Sequence, residues 1–287
     1  MIGMLYLDSG RAEGVSDEDL GMLTVMANVA AMRIERERLA EVEKAKQFLE
    51  NELQQAADIQ KQCLPEGSPA IEGFDIAGYS EPCRTVGGDY FGYFPIGDDK
   101  VWVIIADVAG KGMPASLLMM NFQARVQVLA QDDLDPATMA TRLNDTLCSV
   151  CPANRFITAF LCRMDGKSGD IAYCNAGHER PLLVRADGTV EGLSEGGPIV
   201  GMFPKMPFGV GYSSMAAGDS LVLFTDSVSE AQGAYGNEFG TDRLAELFKD
   251  RGDAGAETMV GRDGNRSDAI PHDRLREIMR AYNRLGN

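Results

Sequence analysis

Long apolar runs and basic residues are the two things this sequence of 287 residues is short of. No stretch of about 18 apolar residues is present, and no basic segment with an apolar run after it opens the chain. We therefore expect a cytoplasmic protein with no membrane partner. Only 27 Lys and Arg accompany 43 Asp and Glu, a net charge of −16. The resulting negative electrostatic potential disfavours binding of nucleic acid. It also repels a phosphorylated substrate, unless a metal ion or an arginine makes the potential at the site positive.

The six cysteines do not have the spacing of a disulfide framework. One pair, Cys148 and Cys151, forms a Cys-x-x-Cys motif without the second half that would complete a zinc site. A zinc or redox role is one interpretation of this pair. We favour the other, which is reduced and partly buried thiols.

Three aspartates at the ends of apolar, β-prone runs are the most informative feature that is present. Asp89 follows two glycines, Asp107 ends the run that begins at Val103, and Asp226 ends a run far downstream. Carboxylates that converge from distant parts of a chain are the ligands that a hard cation such as Mg²⁺ or Mn²⁺ requires. The pattern predicts a metal-dependent hydrolase.

A long helix is predicted near the N-terminus, after a short strand at 3–8. Ser16 is a good N-cap with acidic residues behind it, and no proline occurs from there to about Cys63. A helix of about 45 residues would span about 70 Å. Its narrow apolar stripe with an approximate heptad is typical of a coiled-coil connector, and a helix packed along its own domain is the alternative.

Short apolar runs separated by glycines follow the turn at Leu64 and Pro65. With helices predicted at 114–130 and 136–150, they indicate an α+β fold built on antiparallel sheet. Strand signals disappear from about Gly252, and 272–285 is predicted to form one amphipathic helix. The predicted strands are 74–79, 90–95, 101–107, 156–164, 169–174, 181–185 and 219–225.

The motifs, taken in order, resemble those of the PPM-type serine/threonine phosphatases, specifically the bacterial SpoIIE/RsbU-like branch. The resemblance covers about two thirds of the chain, from about Ala57 to Leu247. The motifs are the Leu64-Pro65 lead-in, Val86-Gly-Gly-Asp-Tyr-Phe, Asp107-Val-Ala-Gly-Lys-Gly, Asn175-Ala-Gly-His178, Gly-Gly197-Pro-Ile-Val-Gly201, Gly218-Asp-x-Leu-x-Leu-Phe-Thr-Asp226 and Phe239-Gly-x-x-Arg-Leu.

The resemblance implies four parts. Residues 1–40 resemble the C-terminal end of a GAF-like sensory domain, and 41–66 would be a helical linker. Residues 67–250 would form a PPM-type phosphatase domain, an α-β-β-α sandwich of two antiparallel sheets flanked by helices. Residues 251–287 would be a divergent or truncated tail.

The resemblance also implies a site for two Mg²⁺ or Mn²⁺ ions. Asp107 would bridge both ions, and the carbonyl of Val108 would supply another oxygen. Asp89 would serve one ion directly or through water, and Asp226 would bind the other. These aspartates would be the catalytic residues, with a metal-bound water that attacks phosphorus. Arg84 would clamp the phosphoryl group, or it is a solvated arginine at the surface.

His178 has two open interpretations, a general acid or a hydrogen-bonded structural residue at a turn, and we favour the second.

The chain also departs from the branch at three places. Gly92 stands where a second aspartate is usual, and Ser227 replaces a glycine. The terminal Asp-Asp-Ile-Thr motif is missing, its nearest counterpart being the segment around Asp268, and Pro271 is predicted to prevent a strand after it.

The expected function is that of a metal-dependent protein serine/threonine phosphatase acting on phosphoserine or phosphothreonine of a signalling partner. By resemblance that partner would be a STAS-type anti-sigma-factor antagonist, and the N-terminal helix would form a homodimer. The alternative is a catalytically weakened, phosphatase-like module that acts by dimerisation and partner binding. A third reading, the Gly-Gly-Asp-Glu-Phe motif of diguanylate cyclases, fails because Tyr90 stands where those enzymes need an acidic residue.

Overall fold

The computed structural model describes residues 16–80, 85–229 and 240–249, together with the backbone of 277–283. The chain divides into two compact units, Met1–Ala56 and Ala57–Asn287. Ser16 and helix α1 (Asp17–Gln62) up to Ala56 are all that is described of the first unit, and residues 57–62 of the helix belong to the second. The strand predicted at 3–8 lies outside the described residues.

Helix α1 begins at Asp17 because Ser16 and Asp19 cap it reciprocally. The Asp19 N–H donates to the Ser16 hydroxyl over 3.2 Å, and the Ser16 N–H donates to the Asp19 carboxylate over 3.2 Å. Such a capping box pairs two backbone donors that the first turn would otherwise leave unsatisfied. The helix is 46 residues long, which confirms the predicted long N-terminal helix.

The second unit contains two sheets whose strands are antiparallel, apart from the parallel pair β5 and β8. One sheet has the order β2-β3-β4-β5-β8, with β9 also paired to β5, and the other has the order β1-β11-β10-β6-β7. The elements are β1 (Phe74–Ser80), β2 (Tyr90–Ile96), β3 (Lys100–Val108), α2 (Met113–Leu129), α3 (Pro136–Leu147), β4 (Ile157–Asp165), β5 (Asp170–Ala176), β6 (Leu182–Val184), β7 (Val190–Gly192), β8 (Gly196–Gly197), β9 (Gly211–Ser214), β10 (Ser220–Phe224), α4 (Asp226–Ser229), α5 (Thr241–Lys249) and β11 (Glu277–Asn283).

Strand β3 shows how the layers form. Val103 and Ile105 belong to the apolar core between the sheets, whereas Trp102 and Ile104 belong to the cluster with α2 and α3. This alternation follows from the two-residue period of a strand. On the other sheet, outward-facing residues of β6 and β10 pack against α5. The result is the predicted order of helix, sheet, sheet and helix, which confirms the expected fold class.

The C-terminal segment corrects one of the predictions. Residues 277–283 form strand β11, not part of a helix over 272–285, and this strand lies between β1 and β10. The backbone N–H and C=O groups of β11 hydrogen-bond to strands on both sides. This pairing stabilises the strand more than the helix that the local sequence pattern predicts. The prediction that Pro271 prevents a following strand is also wrong. Residues 277–283 are therefore an integral part of a sheet.

The described cysteines are all free thiols, as expected: Cys63, Cys148, Cys151, Cys162 and Cys174. Burial raises the pKa of the thiols of Cys148 and Cys151, which disfavours a reactive pair.

Of the helices in the described parts of the chain, none carries an apolar stretch long enough to cross a bilayer.

Candidate metal centre

The register of β2 and β3 places two of the predicted ligands opposite each other. The pair Tyr90↔Ala106 begins the ladder, and the same register continued by one residue sets Asp89 opposite Asp107. Both follow the inward-facing side of their strands, so they lie at the end of the core between the sheets. Their carboxyl groups hydrogen-bond to each other. Two like charges at this position are unfavourable unless a proton or a cation lies between them.

The close approach of these strands at the site depends on a glycine. A Cβ on Gly88 would lie 2.9 Å from the carbonyl oxygen of Val108 and 3.3 Å from the Cβ of Ala115. A side chain at this position would therefore push the Asp89 segment away from β3. The same geometry puts the Val108 carbonyl, another predicted ligand, beside the residue that precedes Asp89.

Asp226 reaches the site from the other sheet. It begins α4 two residues after β10 ends at Phe224, and it is exposed. Its negative charge raises the pKa of both Asp89 and Asp107. The next residue, Ser227, donates a hydrogen bond to the Asp89 carboxylate. The segment that carries Asp226 is thus joined directly to the aspartate pair.

The protonation of the pair follows from its burial. Burial, the hydrogen bond and charge of Asp107 and the charge of Asp226 together raise the pKa of Asp89 to about 8. Burial also raises the pKa of Asp107, although the hydrogen bond from Asp89 opposes this. At neutral pH the pair therefore retains a proton, which a bound divalent cation would displace.

His178 joins the two sheets behind the aspartates. Its Nδ1 lies 2.9 Å from the hydroxyl of Thr158, which pairs with Asp107 across β3 and β4. Its Nε2 lies 3.1 Å from the carbonyl oxygen of Phe224, two residues before Asp226. Burial lowers the pKa of His178 to about 4, so the ring is neutral, with Nε2–H donating and Nδ1 accepting. Both ring nitrogens are engaged, which confirms the structural role.

Two contacts at the site were missed from the sequence. Ser227 was taken as a small change, yet its hydroxyl contacts Asp89. Arg155 donates from an Nη atom to the carbonyl oxygen of Ala109 over 2.7 Å and contacts Gly110, in the loop that follows Asp107. The pairing of β3 with β4 would have found Arg155, since it stands two residues before β4. Arg84 and Asp268 lie outside the described residues.

The donor set fits a hard cation. Within the described ranges no three His, Cys, Asp or Glu side chains are close enough to form a complete ligand cluster. Mg²⁺, however, is usually held by one or two carboxylates and keeps several waters. A pair of hydrogen-bonded carboxyl groups, an adjacent carbonyl and a nearby third carboxylate meet that requirement with oxygen atoms only. The residues present therefore suit Mg²⁺ or Mn²⁺ better than a metal that prefers sulfur.

The four layers and the paired aspartates at the sheet ends define a PP2C-type phosphatase domain. The family model described as Stage II sporulation protein E (SpoIIE) matches residues 97–273, more than half of the chain. The chain belongs to this SpoIIE family.

Curated relatives agree with the family. Phosphoserine phosphatase RsbU of Bacillus subtilis (strain 168) is 28% identical over 215 residues, which cover 75% of this chain and 64% of RsbU. Phosphoserine phosphatase RsbP of the same organism is 30% identical over 184 residues, 62% of this chain and 45% of RsbP. Protein IcfG of Synechocystis sp. is 28% identical over 225 residues, 69% of this chain and 35% of IcfG. The chain thus spans less than two thirds of each relative.

Solved structures share the fold. The SiaA-PP2C domain of Pseudomonas aeruginosa has a TM-score of 0.64 at 23% identity, with 84% of this chain and 99% of that chain covered. The RsbU and RsbW domains of Rv1364c from Mycobacterium tuberculosis have a TM-score of 0.62 at 21% identity, with 79% and 64% covered. RsbX in complex with magnesium has a TM-score of 0.56 at 14% identity, with 75% and 96% covered. At these identities the likeness establishes the fold alone.

Proposed function

We propose that this chain is a metal-dependent protein serine/threonine phosphatase that hydrolyses phosphoserine or phosphothreonine on a signalling partner. The observation that carries the proposal is the hydrogen-bonded pair of Asp89 and Asp107, with the charge of Asp226 acting on both. Membership of the SpoIIE family supports the reaction class. Two relatives, RsbU and RsbP, are phosphoserine phosphatases by name.

Asp89, Asp107, the Val108 carbonyl and Asp226 would hold two Mg²⁺ or Mn²⁺ ions. The magnesium bound in the structure of RsbX, which has the same fold, supports this class of cation. When bound, the ions supply a water of lowered pKa and neutralise charge on the phosphoryl oxygens.

Residues of the chain prepare the site for this chemistry. The aspartate pair gives up its proton and presents carboxylate oxygens, and the hydrogen bond of Ser227 favours the charged form of Asp89. His178 holds the strand of Asp107 and the end of β10 at a constant separation. Asp226 is exposed, whereas Asp89 and Asp107 are half-buried. Arg84 remains the predicted phosphoryl-binding residue.

The substrate and the assembly are the finer parts of the proposal. The family resemblance implies a STAS-type anti-sigma-factor antagonist as the phosphorylated partner, and a GAF-like domain end over 1–40 as the sensory input. A homodimer through α1 is supported by the apolar side chains that this helix exposes. These are Leu20, Met22, Val25, Met26, Val29, Met32, Ile34, Leu39, Val42, Phe48, Leu49 and Ile59. A helix with such a surface is stable when a second helix covers it.

A second candidate function is a phosphatase-like module that has weak catalysis and acts by partner binding. One observation favours it, namely that no complete three-ligand cluster is found in the described parts of the chain. The two candidates differ in cation binding, because a pure interaction module does not need two ions.

Hydrolysis of p-nitrophenyl phosphate with Mn²⁺ tests the proposed function. Asp107→Asn should lower activity by more than about 100-fold, because even residues outside the ligand shell of a metal cost about 10–100-fold when changed. Asp98→Asn is the matched control, since Asp98 is exposed in the turn at the other end of the β2–β3 hairpin. Calorimetric titration with Mn²⁺ should find two ions. Activity that survives both Asp107→Asn and a chelator would remove the mechanism, and cation binding without activity would favour the second candidate.

A further inference from the structure

Gln60 connects the last turn of α1 to the segment that precedes Asp89. Its side-chain Nε2 donates to the carbonyl oxygen of Gly87 over 2.7 Å. Its Oε1 accepts from the N–H of the same glycine over 3.1 Å. Gln60 belongs to the same compact unit as the two sheets, and it is only 5% exposed. One side-chain amide therefore satisfies both backbone groups of Gly87.

This burial sets Gln60 apart from the rest of its helix, where it is the one buried residue. A buried amide is costly unless its donor and acceptor are both paired, and here a single residue pairs both. The cost of burial is thus offset only while Gly87 stays in place. The two hydrogen bonds therefore fix the Gln60 amide and the Gly87 backbone relative to each other.

The Gly87-Gly88 segment needs such an external contact. Neither residue has a side chain, so neither can pack to hold its own position, and glycine has the largest conformational freedom of all residues. Gly88 must also remain against the Val108 carbonyl for Asp89 to lie opposite Asp107. In the described part of the chain before Asp89, the Gln60 amide supplies this contact through its two hydrogen bonds to the Gly87 backbone.

We propose that Gln60 is a positioning residue that holds the Gly87-Gly88 segment so that Asp89 stays opposite Asp107, and that it thereby makes cation affinity depend on the end of α1. The inference rests on the proposed function, because it assigns Asp89 to the cation site. It adds a positioning residue to that site, held by the two hydrogen bonds between the Gln60 amide and the Gly87 backbone.

Gln60→Met tests this directly in the full chain, because methionine keeps the length and the helix propensity of glutamine but has neither polar group. Gln62→Met is the matched control, since Gln62 lies in the same turn and is exposed. The first measurement is hydrogen exchange of the Gly87 amide without metal. The second is the Kd for Mn²⁺ by calorimetry. The free energy of unfolding of the metal-free protein, measured alongside, separates lost stability from lost positioning.

We expect Gln60→Met to speed exchange at Gly87 and to raise the Kd for Mn²⁺ by about 10-fold, the size of effect typical of residues that orient metal ligands. Gln62→Met should change neither. If Gln60→Met does not fold, Gln60→Glu, which keeps the acceptor for the Gly87 N–H, takes its place in the same comparison.

Three outcomes overturn the inference. An unchanged Kd in a folded Gln60 variant shows that the contact does not position Asp89, although the proposed function stands. An equal change in Gln62→Met shows a general effect of the helix end. A wild-type chain that binds no Mn²⁺ refutes the proposed function itself, and the role of Gln60 with it.

Discussion

The Nε2 atom of His178 lies 3.1 Å from the carbonyl oxygen of Phe224, and this hydrogen bond joins the turn after β5 to the strand that leads to Asp226. The opposite ring nitrogen contacts Thr158, the cross-strand partner of Asp107. A single buried ring therefore connects the two sheets at the end where the aspartates lie. Its contribution is positional, since neither ring nitrogen is available to a substrate.

Replacement of this ring should lower stability more than its volume suggests. His178→Phe keeps a ring of similar size but leaves the buried Phe224 carbonyl without this partner, at about 1–3 kcal/mol. The half-buried Thr158 hydroxyl still has the Asp107 carbonyl oxygen at 3.4 Å. We expect the free energy of unfolding in urea at pH 7.5 to fall accordingly. Tyr212→Phe, which changes an exposed ring, should have no effect. A fall no larger in His178→Phe than in Tyr212→Phe would contradict the assignment.

His178 should also make the free energy of unfolding depend on pH. The pKa of His178 is lowered to about 4 from its usual value of 6.5, so the unfolded chain binds the extra proton more readily between these values. The stabilising contribution is therefore complete above pH 6.5 and is lost as the pH falls toward 4. Between pH 6.5 and 5 the loss should reach about 2 kcal/mol. The measured quantity is the difference in free energy of unfolding between wild type and His178→Phe. A difference that stays constant over this range would show that the ring does not titrate as described.

The aspartate pair should behave in the opposite way. The pKa of Asp89 is raised to about 8 from 3.8, so the folded state holds a proton that the unfolded state has lost. Without metal, stability should decrease as the pH rises through this window. Asp89→Asn removes that cost, and at pH 8.5 in a chelator it should stabilise the protein by at least about 1 kcal/mol.

The same substitution should abolish the gain in melting temperature that Mn²⁺ gives to the wild type. Asp89→Asn should therefore raise the stability of the metal-free protein and remove the stabilisation by Mn²⁺, so that one variant tests both effects. Asp98→Asn, at the far end of the hairpin, should alter neither quantity. A metal-free Asp89→Asn protein less stable than wild type would be the contrary result.

Arg155 should affect the loop after Asp107. Its hydrogen bond to the Ala109 carbonyl is charge-assisted and partly buried, a class that contributes about 1.5–3 kcal/mol. Arg155→Met should therefore lower the free energy of unfolding and, by loosening the loop, lower Mn²⁺-dependent hydrolysis by about 10-fold. Arg142→Met is the control, because Arg142 pairs with Asp132 in a solvent-exposed ion pair. Equal activity in the two variants would remove Arg155 from the site.

The exposed face of α1 should determine the oligomeric state. A chain carrying both Val29→Glu and Met32→Glu should sediment as a monomer if the wild type is a dimer through this helix, because two charges would enter an apolar seam. Arg33→Glu, a charge change at a neighbouring exposed residue, should leave the dimer intact. A wild-type monomer at micromolar concentration would refute the homodimer directly.

Much of the fold could be predicted because its signals are local. The cap at Ser16, the uninterrupted helical segment and the alternating strands depend on residues a few positions apart, and the structure confirms them. Strand β11 was missed because the pattern of 277–283 does not exclude a helix. Its conformation depends on β1 and β10, whose residues are remote in the chain.

Residue types and spacing were enough to mark Asp89, Asp107 and Asp226 as candidate ligands, since acidic residues at strand ends follow from the linear pattern. The contacts that organise them could not be derived in this way. Gln60 and Gly87 are 27 residues apart, and His178 and Phe224 are 46 apart. Such contacts form only when packed sheets and helices bring remote backbone groups within hydrogen-bonding distance, because no local propensity specifies which buried amide or imidazole will meet which carbonyl.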